Sequence, residues 1–429
     1  MEKCIKKLLF FDKRKLYILI TPIKQKMANS LLVIFIALIL AYVLSEIFRF
    51  FKLPRVIGQI LAGVVLGIPI IKNIFFTEDI YSALDFITNI GIILLFFFVG
   101  LEINLNQFRK NFRESSFIAV FNTLIPLIAG FIASKLLFGF NNIASLIIGI
   151  SLSVSSQAIS LDILDEIKLL KSKIGNLIVT AGTVDDVFEL LLISVILVVF
   201  SSATFGQATL QKLIFDVVVF VFVVVVFRVS LVPFALRMFE KDKSQSTLFM
   251  GALIIVLLMS YIADALGVGS LIGALIAGIL VRHTLLTGAD RKPWRKNELS
   301  HSMHIISFGF LIPLFFVNVG LKTNLDAISS NLFLIFVLIV IDIAGTLAGT
   351  IIGVLLSKGT FNEGVIVGWG VIPKGDTELV IATLALKSGL IDASIFTAII
   401  TVALFCTFIA PIIFRILTKD YKEIKKQLY

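Results

Sequence analysis

Cysteine and charge are both scarce in this chain. Its two cysteines, Cys4 and Cys406, stand at opposite ends of the sequence. They match no metal-ligand spacing and imply no disulfide framework. Charged residues occupy only 15% of the 429 positions, against 58% apolar ones, a balance that excludes an ordinary soluble domain. Long polar stretches are missing too, so no region is large enough to fold as a separate soluble unit. A net charge of +10 would suggest nucleic acid as a partner of a soluble protein. In a chain this apolar, basic loops on one side of a membrane are the better source, and no nucleic acid is expected.

What fills the chain is apolar sequence in runs of membrane-spanning length. Mean hydropathy is +1.05. A window of ~20 residues gives thirteen spans, at approximately 30–49, 54–71, 83–101, 115–138, 143–161, 173–200, 211–236, 245–263, 266–281, 302–321, 331–356, 362–386 and 392–418. The expected fold class is an all-α polytopic membrane protein. One set of loops carries twenty-three basic residues, Arg49, Lys52, Arg291 and Lys292 among them; the opposite set carries five, Lys72, Lys135, Lys212, Lys322 and Lys387. The rich set is expected in the cytoplasm, with the C-terminus inside and the N-terminus outside. The eight basic residues within positions 1–26 resist that placement. Either the native chain starts at Met27, or Ile5 to Ile23 forms an interfacial or extra helix.

The two halves resemble one another at a nearly constant offset. Val56 to Val64 (VIGQILAGV) matches Leu271 to Ile279 (LIGALIAGI) at a shift of 215, and Val99 to Leu105 (VGLEINL) matches Val319 to Leu325 (VGLKTNL) at a shift of 220. Six spans, one linking span and six more put the second copy upside down relative to the first, as in many secondary transporters. A shift of 219 carries Ser155-Ser156-Gln157 onto Lys374-Gly375-Asp376. Both stretches interrupt apolar sequence with polar groups. Pro373 removes an amide donor and Gly375 relaxes the backbone, so unwound helices are expected at both.

Acidic residues stand inside the apolar runs: the adjacent pair Asp185-Asp186, then Asp342, Asp376 and Glu378, with Lys374 beside them. An ionised side chain at the bilayer centre costs ~2.5–3.5 kcal/mol on insertion scales. Groups kept there usually serve ion or proton movement, which points to a transporter. Asp185, Asp186, Ser155 and Ser156 are the candidate cation and proton ligands. Asp342, Lys374, Asp376 and Glu378 are candidates for charge compensation at the unwound helices. Glu189 falls at i+4 and i+3 from the pair and is a candidate extension of a polar track.

At this point the sequence resembles the monovalent cation:proton antiporter superfamily, in the branch holding NapA-type and Kef-type proteins. The resemblance covers residues 30–418 and rests on Leu53 to Gly63 (LPRVIGQILAG), Leu95 to Glu102 (LFFFVGLE), Asp185-Asp186 and Pro313 to Leu321 (PLFFVNVGL). It implies thirteen helices in two inverted six-helix repeats with a linker helix, two crossed and unwound helices, and a homodimer embedded in membrane lipid. It also implies elevator-like movement of a core domain, in the cell membrane of a prokaryote. The implied domains are a basic segment over 1–29, dimerisation helices over 30–110 and 241–325, and core helices over 111–204 and 326–420. A linker helix covers 205–240 and a cytoplasmic tail 421–429. No C-terminal nucleotide-binding regulatory domain is expected. The family pattern makes Asp186 the cation and proton carrier, with Asp185 its neighbour. Members that move net charge usually carry a lysine in the eleventh span; here Asp342 stands there. That departure leaves open the stoichiometry and whether Asp185 and Asp342 share a proton.

Carboxylates, hydroxyls and freed carbonyls suit Na⁺ and similar hard cations, and the aspartate pair is expected to titrate as one coupled unit. Proton and cation then compete for the same oxygens, and no cofactor is needed beyond the transported Na⁺ and H⁺. A K⁺/H⁺ antiporter of the same fold is the alternative. A Na⁺-coupled organic-anion transporter is disfavoured by the adjacent aspartates. An intramembrane aspartyl protease is disfavoured by the repeat and by the lack of a protease motif.

Overall fold

A computed structural model describes residues 30–102, 112–156, 158–166, 168–169, 172–179, 181–182, 184–185, 207–234, 245–287 and 293–427. The N-terminal basic segment 1–29, Asp186 and Glu189 lie outside the described residues. So does most of the sixth expected span. All regular structure within the described residues is helical. In chain order the helices are α1 (Ser30–Phe50), α2 (Arg55–Leu66), α3 (Pro69–Phe75), α4 (Glu78–Glu102), α5 (Phe112–Phe138), α6 (Asn142–Ser153) and α7 (Ala158–Glu166). After the helical residues 173–179 come α8 (Gln207–Val226), α9 (Gln245–Ala265), α10 (Ser270–Thr287), α11 (Pro293–Ile306), α12 (Ile312–Lys322) and α13 (Leu325–Ser330). The chain then runs through α14 (Leu332–Leu356), α15 (Phe361–Val371), α16 (Asp376–Lys387) and α17 (Ala393–Gln427).

By length and composition, seven helices among the described residues can cross a membrane, or eight if α2 and α3, bent by 80° at their junction, count as one span. The chain is thus a multi-pass membrane protein. Two of the expected spans, 143–161 and 362–386, are broken into pieces too short to cross alone. α6 stops at Ser153 and α7 starts at Ala158; α15 stops at Val371 and α16 starts at Asp376. These are the polar interruptions read from the sequence. Other ends are fixed by caps. Asn141 accepts the Ala144 amide at 2.8 Å to start α6. Thr360 and Glu363 form a reciprocal capping box at α15, and Lys173 adds an ion pair to Glu363 at 2.7 Å.

The chain divides into two compact units. The smaller comprises residues up to Ile90 with Phe310–Thr323. Val33, Ala37 and Ala41, spaced every fourth residue on α1, pack there with Ala62 and Leu66 of α2, Ile80 and Leu84 of α4, and Leu314, Val317 and Leu321 of α12. Asp85 is held in the same unit by Asn318 at 2.7 Å and Lys322 at 2.8 Å. At the crossing of α2 and α12 no side chain intervenes. A Cβ on Gly63 would lie 2.0 Å from the Val317 carbonyl oxygen, and one on Gly320 would lie 2.1 Å from that of Ile60.

The larger unit comprises Gly91–Gly309 and Asn324–Tyr429. It contains a matching crossing between α4 and α10. A Cβ on Gly100 would lie 2.2 Å from the Leu275 carbonyl oxygen, and one on Gly278 would lie 2.2 Å from that of Phe97. In the same unit α14 runs antiparallel to α5, its Gly345, Gly349 and Gly353 seated on Pro126, Phe121 and Ile118. Small residues at such contacts let helix backbones approach closely, which is how apolar helices gain dispersion contact where solvent cannot drive them together.

Candidate functional site

The larger unit brings the two helix interruptions into contact. The Ser156 amide donates to the Pro373 carbonyl at 2.7 Å, and a Cβ on Gly375 would lie 2.8 Å from that of Ser156. Only glycine admits this approach. Val154, just past the end of α6, is extended, and so is Gly375, just before α16. A half-helix C-terminus, with its excess of carbonyl oxygens, therefore meets a half-helix N-terminus, with its excess of amide donors, inside the protein.

Asp185 lies beside this junction, 2% exposed. Its carboxylate accepts from Asn122 Nδ2 at 3.1 Å and Thr123 Oγ1 at 2.6 Å, both from α5, and from the hydroxyl of Ser155 at the first interruption. These partners are all neutral donors. They orient the carboxylate, on which the Lys374 charge acts through space. Thr123 Oγ1 also lies 2.8 Å from the Ala119 carbonyl oxygen. A hydroxyl has one proton to give, so it turns to Asp185 when the carboxylate is ionised. When Asp185 holds a proton of its own, the hydroxyl is free to turn to Ala119.

A second cluster sits at the other interruption and carries its own cation. Lys374 Nζ lies 2.8 Å from Asp342 Oδ1 and donates to the Leu152 and Val154 carbonyls at 2.7 and 2.8 Å. It reaches across from one broken helix to neutralise the carbonyl end of the other. Thr407 of α17 pins the Lys374 backbone, accepting its amide at 2.9 Å and donating to its carbonyl at 3.0 Å. Asp342, Lys374 and Glu378 are all buried. Both Glu378 carboxyl oxygens lack a hydrogen-bond partner among the described residues.

The sequence candidates therefore fall into three groups. Asp185 and Ser155 meet directly, and Ser156 joins the crossing through its backbone. Asp342 and Lys374 form an ion pair, with Glu378 within electrostatic reach of both. Asp186 and Glu189 lie outside the described residues, as does the side chain of Asp376, whose backbone opens α16. Sequence reasoning missed Asn122 and Thr123. The repeat offset contains the signal: 220 positions before Asp342 stands Asn122.

Comparison with known proteins agrees over nearly the whole chain. The sequence profile of the family described as "Sodium/hydrogen exchanger, transmembrane" matches residues 33–420. A Na(+)/H(+) antiporter of Enterococcus hirae is 31% identical over 375 residues, 87% of this chain and 94% of that protein. The Na(+)/H(+)-K(+) antiporter GerN of Bacillus cereus is 28% identical over 365 residues, 83% of this chain and 88% of that protein. The structure of the sodium proton antiporter MjNhaP1 from Methanocaldococcus jannaschii superposes with a TM-score of 0.67 at 15% identity, over 92% of this chain and 97% of that one. That last likeness concerns the fold. With the profile spanning these helices and the Enterococcus protein similar over most of both chains, the chain belongs to the sodium/hydrogen exchanger family and is a secondary transporter, not an enzyme.

Proposed function

We propose that this protein exchanges a monovalent cation, Na⁺ with Li⁺ as its close substitute, for H⁺ across a membrane, and that both ions compete at Asp185 and Asp186. The observation that carries the reading is the Asp185 carboxylate, buried at the crossing of two interrupted helices and bonded by neutral donors. Its hydrogen bonds bring that anion no counter-charge, and the Lys374 ammonium in reach of it is engaged by Asp342, so the site is open to a cation or a proton. A dehydrated cation finds carboxylate, hydroxyl and carbonyl oxygens there; a proton finds the carboxylate alone. One excludes the other, and the core domain crosses when loaded with either. The names of the Enterococcus and Bacillus proteins support Na⁺ as cargo; the second of them also supports K⁺ as the alternative.

The finer architecture belongs to the same proposal: thirteen helices in two inverted repeats, a dimer built on helices of 30–110 and 241–325, and a core of 111–204 and 326–420. Its support is reciprocal contact. Gly63 and Gly278 stand 215 positions apart and Gly100 and Gly320 stand 220 apart, yet Gly63 meets Gly320 and Gly278 meets Gly100. Each copy's glycine thus contacts the other copy's, as a two-fold relation between the halves requires.

Reconstitution into liposomes holding a pH dye tests the activity. Na⁺ and Li⁺ added outside a proton-loaded vesicle are expected to drive alkalinisation within, at lower concentrations than K⁺. Silence to all three ions would end the proposal.

A further inference from the structure

We propose that Glu378 is a second proton-binding site of the exchange cycle, separate from the aspartate pair. The inference rests on the antiport reading and adds a substrate site to it. Glu378 occupies the first turn of α16, fully buried, and neither carboxyl oxygen has a hydrogen-bond partner among the described residues. Among the described residues, Lys374 is the buried basic group in electrostatic reach. A lysine ammonium has three donors. Those of Lys374 go to Asp342, Leu152 and Val154, and none is left for Glu378. Among the described residues, the Asp342 carboxylate on α14 and the Cys406 thiol on α17 also interact with Glu378. Two carboxyls thus surround one committed ammonium. A lone ionised carboxylate is not sustained out of water, so Glu378 holds a proton in this conformation.

Release is built into the same geometry. Leu152 and Val154, which hold Lys374, flank the end of the half-helix that delivers Ser155 to Asp185. A cation entering at Asp185 competes for Ser155 and shifts this stretch. The ammonium then loses its carbonyl partners and turns to the one carboxyl without a donor. Glu378 gives its proton to water, and the Lys374 charge compensates the carboxylate left behind.

Difference infrared spectroscopy on the purified protein tests this directly. The expected result is the carbonyl stretch of a protonated carboxyl in the wild type, lost on adding Na⁺ and missing in Glu378→Gln. In liposomes, the H⁺ released per ²²Na⁺ taken up is expected to be lower in Glu378→Gln than in the wild type. A spectrum unchanged by the substitution overturns the inference, and so does an unchanged ratio. Should Glu378→Gln not assemble, ¹³C-glutamate labelling of the wild type decides. A shifted acid band that Na⁺ removes supports the site, and no such band overturns it. A wild type that moves no protons with Na⁺ instead sinks the antiport reading.

Discussion

The ammonium of Lys374 and the carboxylate of Asp342 lie 2.8 Å apart with solvent excluded from both side chains. One comes from an interrupted helix, the other from a continuous one, so the pair ties the break in α15–α16 to α14. Losing one partner of a buried pair leaves an uncompensated charge and costs about 3–5 kcal/mol, whereas replacing both with apolar groups is often neutral. Asp342→Asn and Lys374→Met are each expected to lower the melting temperature in detergent sharply. The double variant is expected to recover most of the loss. Additive losses in the double-mutant cycle would show that the pair contributes no coupling.

Thr123→Val removes a donor to Asp185 and keeps the shape of the side chain. A hydrogen bond to a charged group contributes about 1.5–3 kcal/mol, so the half-saturating Na⁺ concentration is expected to change by roughly tenfold or more. Thr123→Ser keeps the hydroxyl and is expected to stay close to wild type. Dye-monitored Na⁺ titrations of the two variants make the comparison; equal behaviour would remove Thr123 from the site.

Asp186→Asn is expected to abolish cation-driven proton movement in everted vesicles while the protein still assembles in the membrane. Wild-type rates in that variant would withdraw the competition mechanism from the aspartate pair.

Gly63→Ala and Gly309→Ala make a matched test of packing. A methyl on Gly63 meets backbone at 2.0 Å, whereas a methyl on Gly309 meets nothing within 4 Å. The first is expected to prevent assembly or lower the melting temperature by several degrees. The second is expected to be neutral or to stabilise by about 0.4–1 kcal/mol through the unfolded state. Expression level and thermal melts in detergent separate them.

The membrane character, the two helix interruptions and the presence of Asp185 within an apolar run were all legible in the sequence. Each breaks a strong local pattern: a polar run in apolar sequence, or a charge where lipid would penalise it. Asn122 and Thr123 were not legible, because single neutral polar residues are common in membrane helices and nothing local marks which way they face. Asp342 and Lys374 stand out in the sequence as charges within apolar runs, but their direct pairing does not: the two lie 32 positions apart and meet where the chain breaks before α16.

The two glycine crossings have a mechanical consequence. Where main chain rests on main chain, there are no rotamers to exchange and no side-chain ridge over which to slip. The Gly63–Gly320 and Gly100–Gly278 junctions act as rivets, each locked within its own unit. Whatever alternation exposes Asp185 first to one side and then to the other must hinge on segments away from both.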